Sequence, residues 1–415
     1  MNKTQNLGSV LAFGALLGSA LMPVNAGKLD TGILDTGVTE ASKFKYRLDL
    51  RGGYDSRAST GADGEDQGSP FSEINVGVSR RFGGARTSLD FDLSGGTNYF
   101  WDVDNDDTDI NLRLELGLSH RISRRADLTF TSLATYQVEP DFFSGTGRSS
   151  RSGQYLYTNN ALQLGMVWTR RFSTVTSYSF VAVRYDDEEF AAVEDRFEHY
   201  FANEFRYLVL PTTTLVAEYR LGIVEYDSNP QSSISHFALG GVDYQMNRRT
   251  SITLRGGAEF REFDSGASTE APYGEATISY AYGEGSTISW ITRYGLEQSE
   301  ITGPLSNTSL RTGIQVNHKL TGKLSGRLGL YYQNTDFDNL EPDEPIIDPF
   351  TGEEVPSTYD PAYSEDLIDV AAGLSYRLNK NISLDLGYSF TTVSSDQPIN
   401  EYDRHRVFFG VSANF

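Results

Sequence analysis

The chain has 415 residues, with 24 Tyr, 24 Phe and no Cys, and its formal net charge is −21 at pH 7. This acidic balance argues against a nucleic-acid-binding protein, which would need a basic surface. The absence of cysteine fits an exported protein that has no disulfide framework.

The first residues predict a cleaved signal peptide. Lys3 gives a positive start, residues 10–21 are apolar, and residues 24–26 (VNA) form a small-residue cleavage site. The apolar run is shorter than the roughly 20 residues that a transmembrane helix needs. We therefore expect residues 1–26 to be removed during export and residues 27–43 to form a flexible periplasmic leader.

After this leader, apolar side chains recur at every second position instead of in continuous runs. The clearest case is the segment 110–119, where Leu112 and Leu114 alternate with Arg113 and Glu115. A two-residue period is typical of a strand with one face in lipid and the other in water. A soluble protein of this size would usually bury continuous apolar runs.

The same alternation recurs to the end of the chain, and short basic connections alternate with longer acidic ones. Short turns belong on the periplasmic side of an outer-membrane barrel, and long loops belong outside. The pattern predicts an all-β, transmembrane, antiparallel up-and-down β-barrel of about 18 strands (16–18) over residues 44–415. The predicted strands lie near residues 44–55, 73–79, 89–93, 110–119, 127–137, 155–169, 174–186, 196–209, 214–226, 233–246, 251–263, 273–282, 287–297, 308–320, 324–333, 366–378, 382–390 and 405–415.

The longest predicted loop covers residues 334–365 and contains ten Asp or Glu, five Pro and no Lys or Arg. Two interpretations stay open for it. The segment could project outward as a solvated acidic flap, or it could fold into the barrel mouth as a constriction. Two shorter acidic segments, 264–272 and 391–404, are also expected to be outer loops.

The last strand has a distinct pattern of its own. Val407, Phe409, Val411 and Phe415 share one face, and the polar Ser412 lies on the other. This pattern resembles the C-terminal signal that is read by the machinery that inserts outer-membrane barrels. We therefore expect these four apolar residues to act as a barrel-assembly signal.

If the apolar faces meet lipid, the alternate positions line the lumen. Charges of both signs would either create a transverse field for polar solutes or form a hydrated wall in which charge pairs join neighbouring strands. A sugar-stacking aromatic track is a further alternative, although most aromatics are expected to face outward. The lumen-lining candidates are Arg47, Asp49, Arg51, Asp90, Asp92, Arg113, Glu115, Glu218, Arg220, Arg255, Glu259, Arg261, Arg293, Glu297 and Arg327.

Catalytic and metal-binding signatures are missing from the sequence. The five histidines are scattered, and there is neither a G-x-S-x-G elbow nor an H-E-x-x-H pair. The nearest local candidate for an enzyme is His405 beside Asp403, which is more simply a pair of solvated loop residues. We expect no enzyme activity, no cofactor and no metal.

The chain resembles the β-barrel porin-2 group of outer-membrane proteins. The resemblance includes the first strand with its exit 52–55 (GGYD), the turn entry 79–82 (SRRF), residues 388–390 (YSF) and the ending 407–415. It implies a Gram-negative outer-membrane porin that gives passive passage to hydrophilic solutes or to an exported polysaccharide.

The expected partners are outer-membrane lipid and lipopolysaccharide, the barrel-assembly machinery and components of polysaccharide export, with no nucleic acid. The alternatives are a structural or adhesive barrel with a blocked lumen and acidic surface loops, and an outer-membrane enzyme. The oligomeric state stays open.

Overall fold

The computed structural model describes residues 43–60, 66–103, 107–138, 153–228, 231–298, 306–338, 363–396 and 401–415. Within these residues the chain forms one sheet of eighteen strands and one short helix. The strands are β1 (Lys45–Thr60), β2 (Asp66–Gly83), β3 (Thr87–Phe100), β4 (Thr108–Arg121), β5 (Ala126–Gln137), β6 (Tyr155–Val167), β7 (Phe172–Tyr185), β8 (Arg196–Leu210), β9 (Thr213–Tyr226), β10 (Ser233–Asn247), β11 (Thr250–Phe263), β12 (Ser268–Gly283), β13 (Ser286–Glu297), β14 (Ser306–Lys319), β15 (Leu324–Asp338), β16 (Tyr363–Arg377), β17 (Ile382–Ser395) and β18 (Tyr402–Asn414), and the helix is α1 (Glu188–Glu194).

The sheet closes on itself. Each strand pairs antiparallel with the next one along the chain, and β1 pairs with both β2 and β18. The closing register places Arg51 opposite Gly410 on one side and opposite Glu73 on the other. Closure leaves no unpaired strand edge, which a sheet in hydrocarbon requires. The predicted up-and-down β-barrel and its count of about 18 strands are confirmed.

The two faces of the sheet differ as the period-two pattern predicts. Large apolar side chains such as Leu50, Ile74 and Leu330 are exposed on the outer face. Ionisable side chains alternate with them and lie on the inner face, where Asp49 and Arg220 are buried. Apolar groups therefore meet lipid, and polar groups meet the barrel interior.

The connections distinguish two ends of the barrel, which we name the turn end and the loop end. The turn end holds the tight connection between β12 and β13, where Gly285 has a φ of 70°, a left-handed value that favours glycine. It also holds the start of β1 and the end of β18, joined where the Phe415 amide donates to the Tyr46 carbonyl at 2.9 Å. The loop end holds the connection 186–195 between β7 and β8.

The three acidic loops named in the sequence analysis were predicted too long. In the segment 334–365, β15 continues to Asp338 and β16 begins at Tyr363. The segment 264–272 is a loop only as far as residue 267, because β12 begins at Ser268. Pro272 suggested a loop, but it lies within β12 opposite Ala258. In the segment 391–404, β17 continues to Ser395 and β18 begins at Tyr402. Its Thr, Ser and Asp residues concealed the strand pattern, because the strand ends are polar on both faces.

The connection between β7 and β8 contains α1, which sequence patterning did not predict. Asp187 Oδ1 accepts a hydrogen bond from the Phe190 amide at 3.2 Å and so caps the helix start. Phe190 and Ala191 pack against an apolar cluster at the loop end of the inner wall. The cluster consists of Leu133, Tyr155, Tyr157, Val181, Val183 and Tyr185. The only helix in the described residues is neither long nor apolar enough to cross a membrane.

Three earlier expectations lie outside the described residues. These are the signal peptide 1–26, the leader 27–43 except for its last residue, and the central part, 339–362, of the long acidic loop. They stay predictions.

Candidate functional site in the barrel interior

The predicted lumen residues all lie on the inner face, and the structure divides them between two walls. The first wall is formed by β1–β4 and carries Arg47, Asp49, Arg51, Asp90, Asp92, Arg113 and Glu115. The second wall is formed by β9–β13 and carries Glu218, Arg220, Arg255, Glu259, Arg261, Arg293 and Glu297. Arg327 lies apart from both on β15, against Gly373 of β16. Their role in passage stays a prediction.

The second wall is densely packed. Glu259 is fully buried and Arg261 is 3% exposed, and their side chains form an ion pair at 2.8 Å. Glu218 and Arg220 form a similar pair at 2.7 Å. Burying a charge is costly unless it is paired and hydrogen-bonded, so these contacts are needed to keep this wall folded.

Glu297 joins an arginine of the second wall to an arginine of the next strand, β14. Arg293 on β13 lies directly opposite Arg311 on β14, so two like charges meet in register. One Glu297 oxygen lies 3.2 Å from Arg293 Nη1, and the other lies 3.3 Å from Arg311 Nη2. The carboxylate therefore offsets the repulsion between the two guanidinium groups.

The Tyr273 side chain contacts three charged residues of the second wall. Arg220 donates to the Tyr273 hydroxyl at 3.2 Å, and that hydroxyl donates to Glu275 at 2.8 Å. The Arg293 guanidinium lies 5.5 Å from the centre of the Tyr273 ring, within cation–π range. These contacts join Arg220, Tyr273, Glu275 and Arg293 in one network of charged and aromatic side chains.

The first wall is more open to water. The Arg47 side chain is 42% exposed and that of Glu115 is 39% exposed, although Asp49 is buried. Arg47 pairs with Asp49 at 3.1 Å, and Arg113 pairs with Glu115 at 2.7 Å. The interior is thus asymmetric, with a packed wall on one side and a solvated wall on the other.

Charge pairs also follow a pattern that the sequence analysis missed. Several join residues two apart on one strand, such as Arg113 with Glu115, because such residues share the inner face. Others join neighbouring strands, as expected: Arg51 pairs with Glu73 at 3.0 Å, and Arg255 pairs with Asp243 at 2.8 Å.

A cavity of about 450 Å³ opens along the first wall and extends to β5 and β18. Arg51, Asn75, Asn98 and Arg113 contribute polar groups to its lining, and Phe408 contributes an aromatic ring. The volume falls within the roughly 300–1,000 Å³ that is usual for small-molecule sites.

This architecture is matched by a known protein family. Residues 44–415 match the family model described as "Putative beta-barrel porin 2". The chain belongs to this porin family. The porin is an outer-membrane, porin-like β-barrel, as its family and its closed eighteen-stranded sheet together show.

Several solved structures are similar to this porin. The structure of OccK2 (OpdF) of Pseudomonas aeruginosa in complex with glucuronate has 12% identity and a TM-score of 0.47, covering 90% of this chain and 98% of that one. OccAB3 of Acinetobacter baumannii has 12% identity and a TM-score of 0.44, covering 90% and 100%. The siderophore receptor PirA of Pseudomonas aeruginosa has 12% identity and a TM-score of 0.39, covering 90% and 80%. No curated protein matches the porin in sequence.

Sequence reasoning missed several interior residues of the porin. Asp55 is fully buried and accepts a hydrogen bond from Arg404 Nε at 2.9 Å, which joins β1 to β18. Arg406, two residues further on, lies 3.8 Å from the same carboxylate. These arginines were missed because the outward-facing residues next to them, Asp403 and His405, are polar. The alternation of apolar and polar residues is therefore not visible in this part of the sequence.

The histidines of the porin lie on the outer face, away from the interior walls. Four accept or donate a hydrogen bond at Nδ1 with a tyrosine hydroxyl, as His405 does with Tyr388 at 2.9 Å. The fifth, His120, bonds Thr87 at 2.8 Å. In the part of the chain that the structure describes, no group of three His, Asp or Glu side chains could hold a metal ion.

The predicted assembly-signal residues also lie on the outer face. Val407, Phe409 and Val411 are exposed apolar residues of β18, and Phe415 follows the strand. Their role in assembly stays a prediction.

Proposed function

We propose that this porin gives hydrophilic solutes a passive, non-enzymatic route across the outer membrane along its first wall. The observation that carries this proposal is the asymmetry of the interior. Solvated side chains and a cavity line β1–β4, whereas the seven charged lumen candidates on β9–β13 are buried. Barrels of 16–18 strands are wide enough to hold an aqueous channel.

The two walls would have different roles, one structural and one in contact with the solute. The buried network of the second wall fixes the shape of the barrel, because its charges cannot lose their partners without a large penalty. The exposed charges of the first wall stay hydrated, so they can contact a passing solute at little cost. A polar solute would thus exchange water contacts for contacts with the first wall.

Planar-bilayer recording of the purified full chain tests this proposal. A conduit gives stable, ohmic steps of conductance after insertion. A structural or adhesive barrel with a blocked lumen inserts without any steps. Insertion is verified independently by protease protection in vesicles, so silent bilayers that contain folded protein would refute the conduit.

An exported polysaccharide is the second candidate permeant, favoured by the aromatic ring of Phe408 beside the polar side chains of the cavity. Components of polysaccharide export would then be partners. Deleting the gene should lower surface polysaccharide if this is correct. Unchanged polysaccharide together with slower uptake of small solutes would favour import.

A further inference from the structure

We infer that the first-wall cavity is a binding site for a neutral saccharide unit. This inference deepens the proposed function and rests on it, because the site would lie on the route of passage. The hydrogen-bonding groups, the aromatic surface and the charge balance of the cavity lead separately to the same class of ligand.

Three residues lining the cavity have polar atoms that lack a hydrogen-bond partner. They are Asn75 Oδ1, Asn98 Oδ1 and Arg51 Nε, and Asn98 as a whole is only 6% exposed. Native proteins rarely leave buried polar atoms unpaired, since each one loses its hydrogen bonds to water without replacement. Turning these atoms toward a ligand would break no existing hydrogen bond at any of them.

The unpartnered atoms are of two kinds, which narrows the ligand chemistry. The amide oxygens need donors, whereas Arg51 Nε needs an acceptor. A carboxylate would serve only the arginine, and an ammonium group would serve only the amides. A hydroxyl group both donates and accepts, so a polyhydroxylated ligand satisfies all three.

Phe408 adds a flat apolar surface to this polar site. Its ring lies against the backbone of Gly387 on β17, where an added Cβ would be 2.2 Å from a ring carbon. The Arg51 guanidinium lies over the ring, 4.9 Å from its centre and within cation–π range, so a ligand would share this face with Arg51. Saccharides carry an apolar face of C–H groups beside their hydroxyls, which an aromatic ring with nearby polar groups can hold.

The charges around the cavity favour a neutral ligand. Arg51 is paired with Glu73, Arg113 with Glu115, and Arg406 with Asp55. An anion would compete with these carboxylates for the guanidinium groups, and a cation would compete with the arginines. A neutral saccharide can accept from the arginines and leave these pairs intact.

Calorimetric titration of the full chain in detergent with maltose tests the site. We expect saturable binding in the millimolar range, and no saturable heat with a poly(ethylene glycol) of similar mass, which has acceptors but few donors. Asn75→Ala and Asn98→Ala should each weaken maltose binding about fivefold, the worth of one typical hydrogen bond. Phe408→Leu should also weaken it.

Asn307→Ala is the matched control. Asn307 is a buried asparagine of β14 whose Oδ1 also lacks a partner, but it does not line the cavity. Its substitution should leave maltose affinity unchanged. Absence of saturable maltose binding by the folded wild-type protein, or equal losses in Asn98→Ala and Asn307→Ala, would overturn the inference.

Conductance of the same preparation without sugar separates this inference from the proposed function. If the protein conducts but does not bind maltose, the proposed function stands and the saccharide site is refuted. If maltose binding depends on Asn98 but the protein never conducts, the saccharide site stands and the proposed function is refuted.

Discussion

Removing the carboxylate of Glu297 should strongly destabilise the barrel. Glu297→Gln keeps the shape of the side chain but leaves Arg293 and Arg311 opposite each other in register without the negative charge between them. All three side chains are buried. Breaking a buried ion pair by neutralising one partner costs about 3–5 kcal/mol, so we expect a loss of that size.

Glu115→Gln is the matched control on the first wall. Glu115 also pairs with an arginine, at 2.7 Å from Arg113, but its side chain is 39% exposed. Water can replace the lost contact, so the expected cost is below about 1 kcal/mol. Replacing Arg311 by Met in the Glu297→Gln protein should recover part of the loss, because one of the two opposed charges is then gone.

The assay is equilibrium unfolding of the folded barrel in detergent with guanidinium chloride, followed by tryptophan fluorescence. The free energy of unfolding is compared between each variant and the wild type. Equal losses for Glu297→Gln and Glu115→Gln would refute the division into a packed wall and a solvated wall. So would a Glu297→Gln barrel of wild-type stability.

Three further predictions concern the outer face, the aromatic surface and the helix. Leu330→Arg places a charge on the lipid face near the middle of β15 and should lower the free energy of unfolding by about 2–4 kcal/mol. Gln315→Arg on the inner face should lower it far less. Similar losses for the two variants would contradict the assignment of the faces. Gly387→Ala should displace the Phe408 ring and weaken maltose binding, since the added Cβ would lie 2.2 Å from a ring carbon; unchanged affinity and stability would contradict this. Phe190→Ala removes the ring that packs 5.8 Å from that of Tyr185, so proteolysis of the connection between β7 and β8 should become faster, and an unchanged rate would show that α1 does not depend on this contact.

Most of the fold could be predicted from the sequence because the membrane imposes a strict rule on each strand. Leu112 and Leu114 meet lipid while Arg113 and Glu115 meet water, and an exception on the lipid face is expensive. The rule weakens at the loop end, where both faces of a strand can be polar. That is why the beginnings of β12 and β18 were taken for loops and why Arg404 was missed.

The asymmetry of the interior could not be predicted in this way. Alternation places Glu115 and Glu259 on the same inner face, yet one is solvated and the other is fully buried. The difference depends on which side chains surround each carboxylate: Glu259 accepts hydrogen bonds from Ser235 of the neighbouring strand and from Arg261. α1 was missed because seven residues, three of them Glu, carry too little periodicity to indicate a helix.

Thiol modification during single-channel recording tests the central claim most directly, because the chain has no native cysteine. A charged, membrane-impermeant thiol reagent should change the conductance of Glu115→Cys on the first wall. The reagent should not change the conductance of Ser235→Cys, because Ser235 is buried beside Glu259 on the second wall. It should also not change the conductance of Leu330→Cys, because Leu330 lies on the lipid face. A Glu115→Cys channel that does not respond, or a Ser235→Cys channel that responds equally, would contradict passage along the first wall.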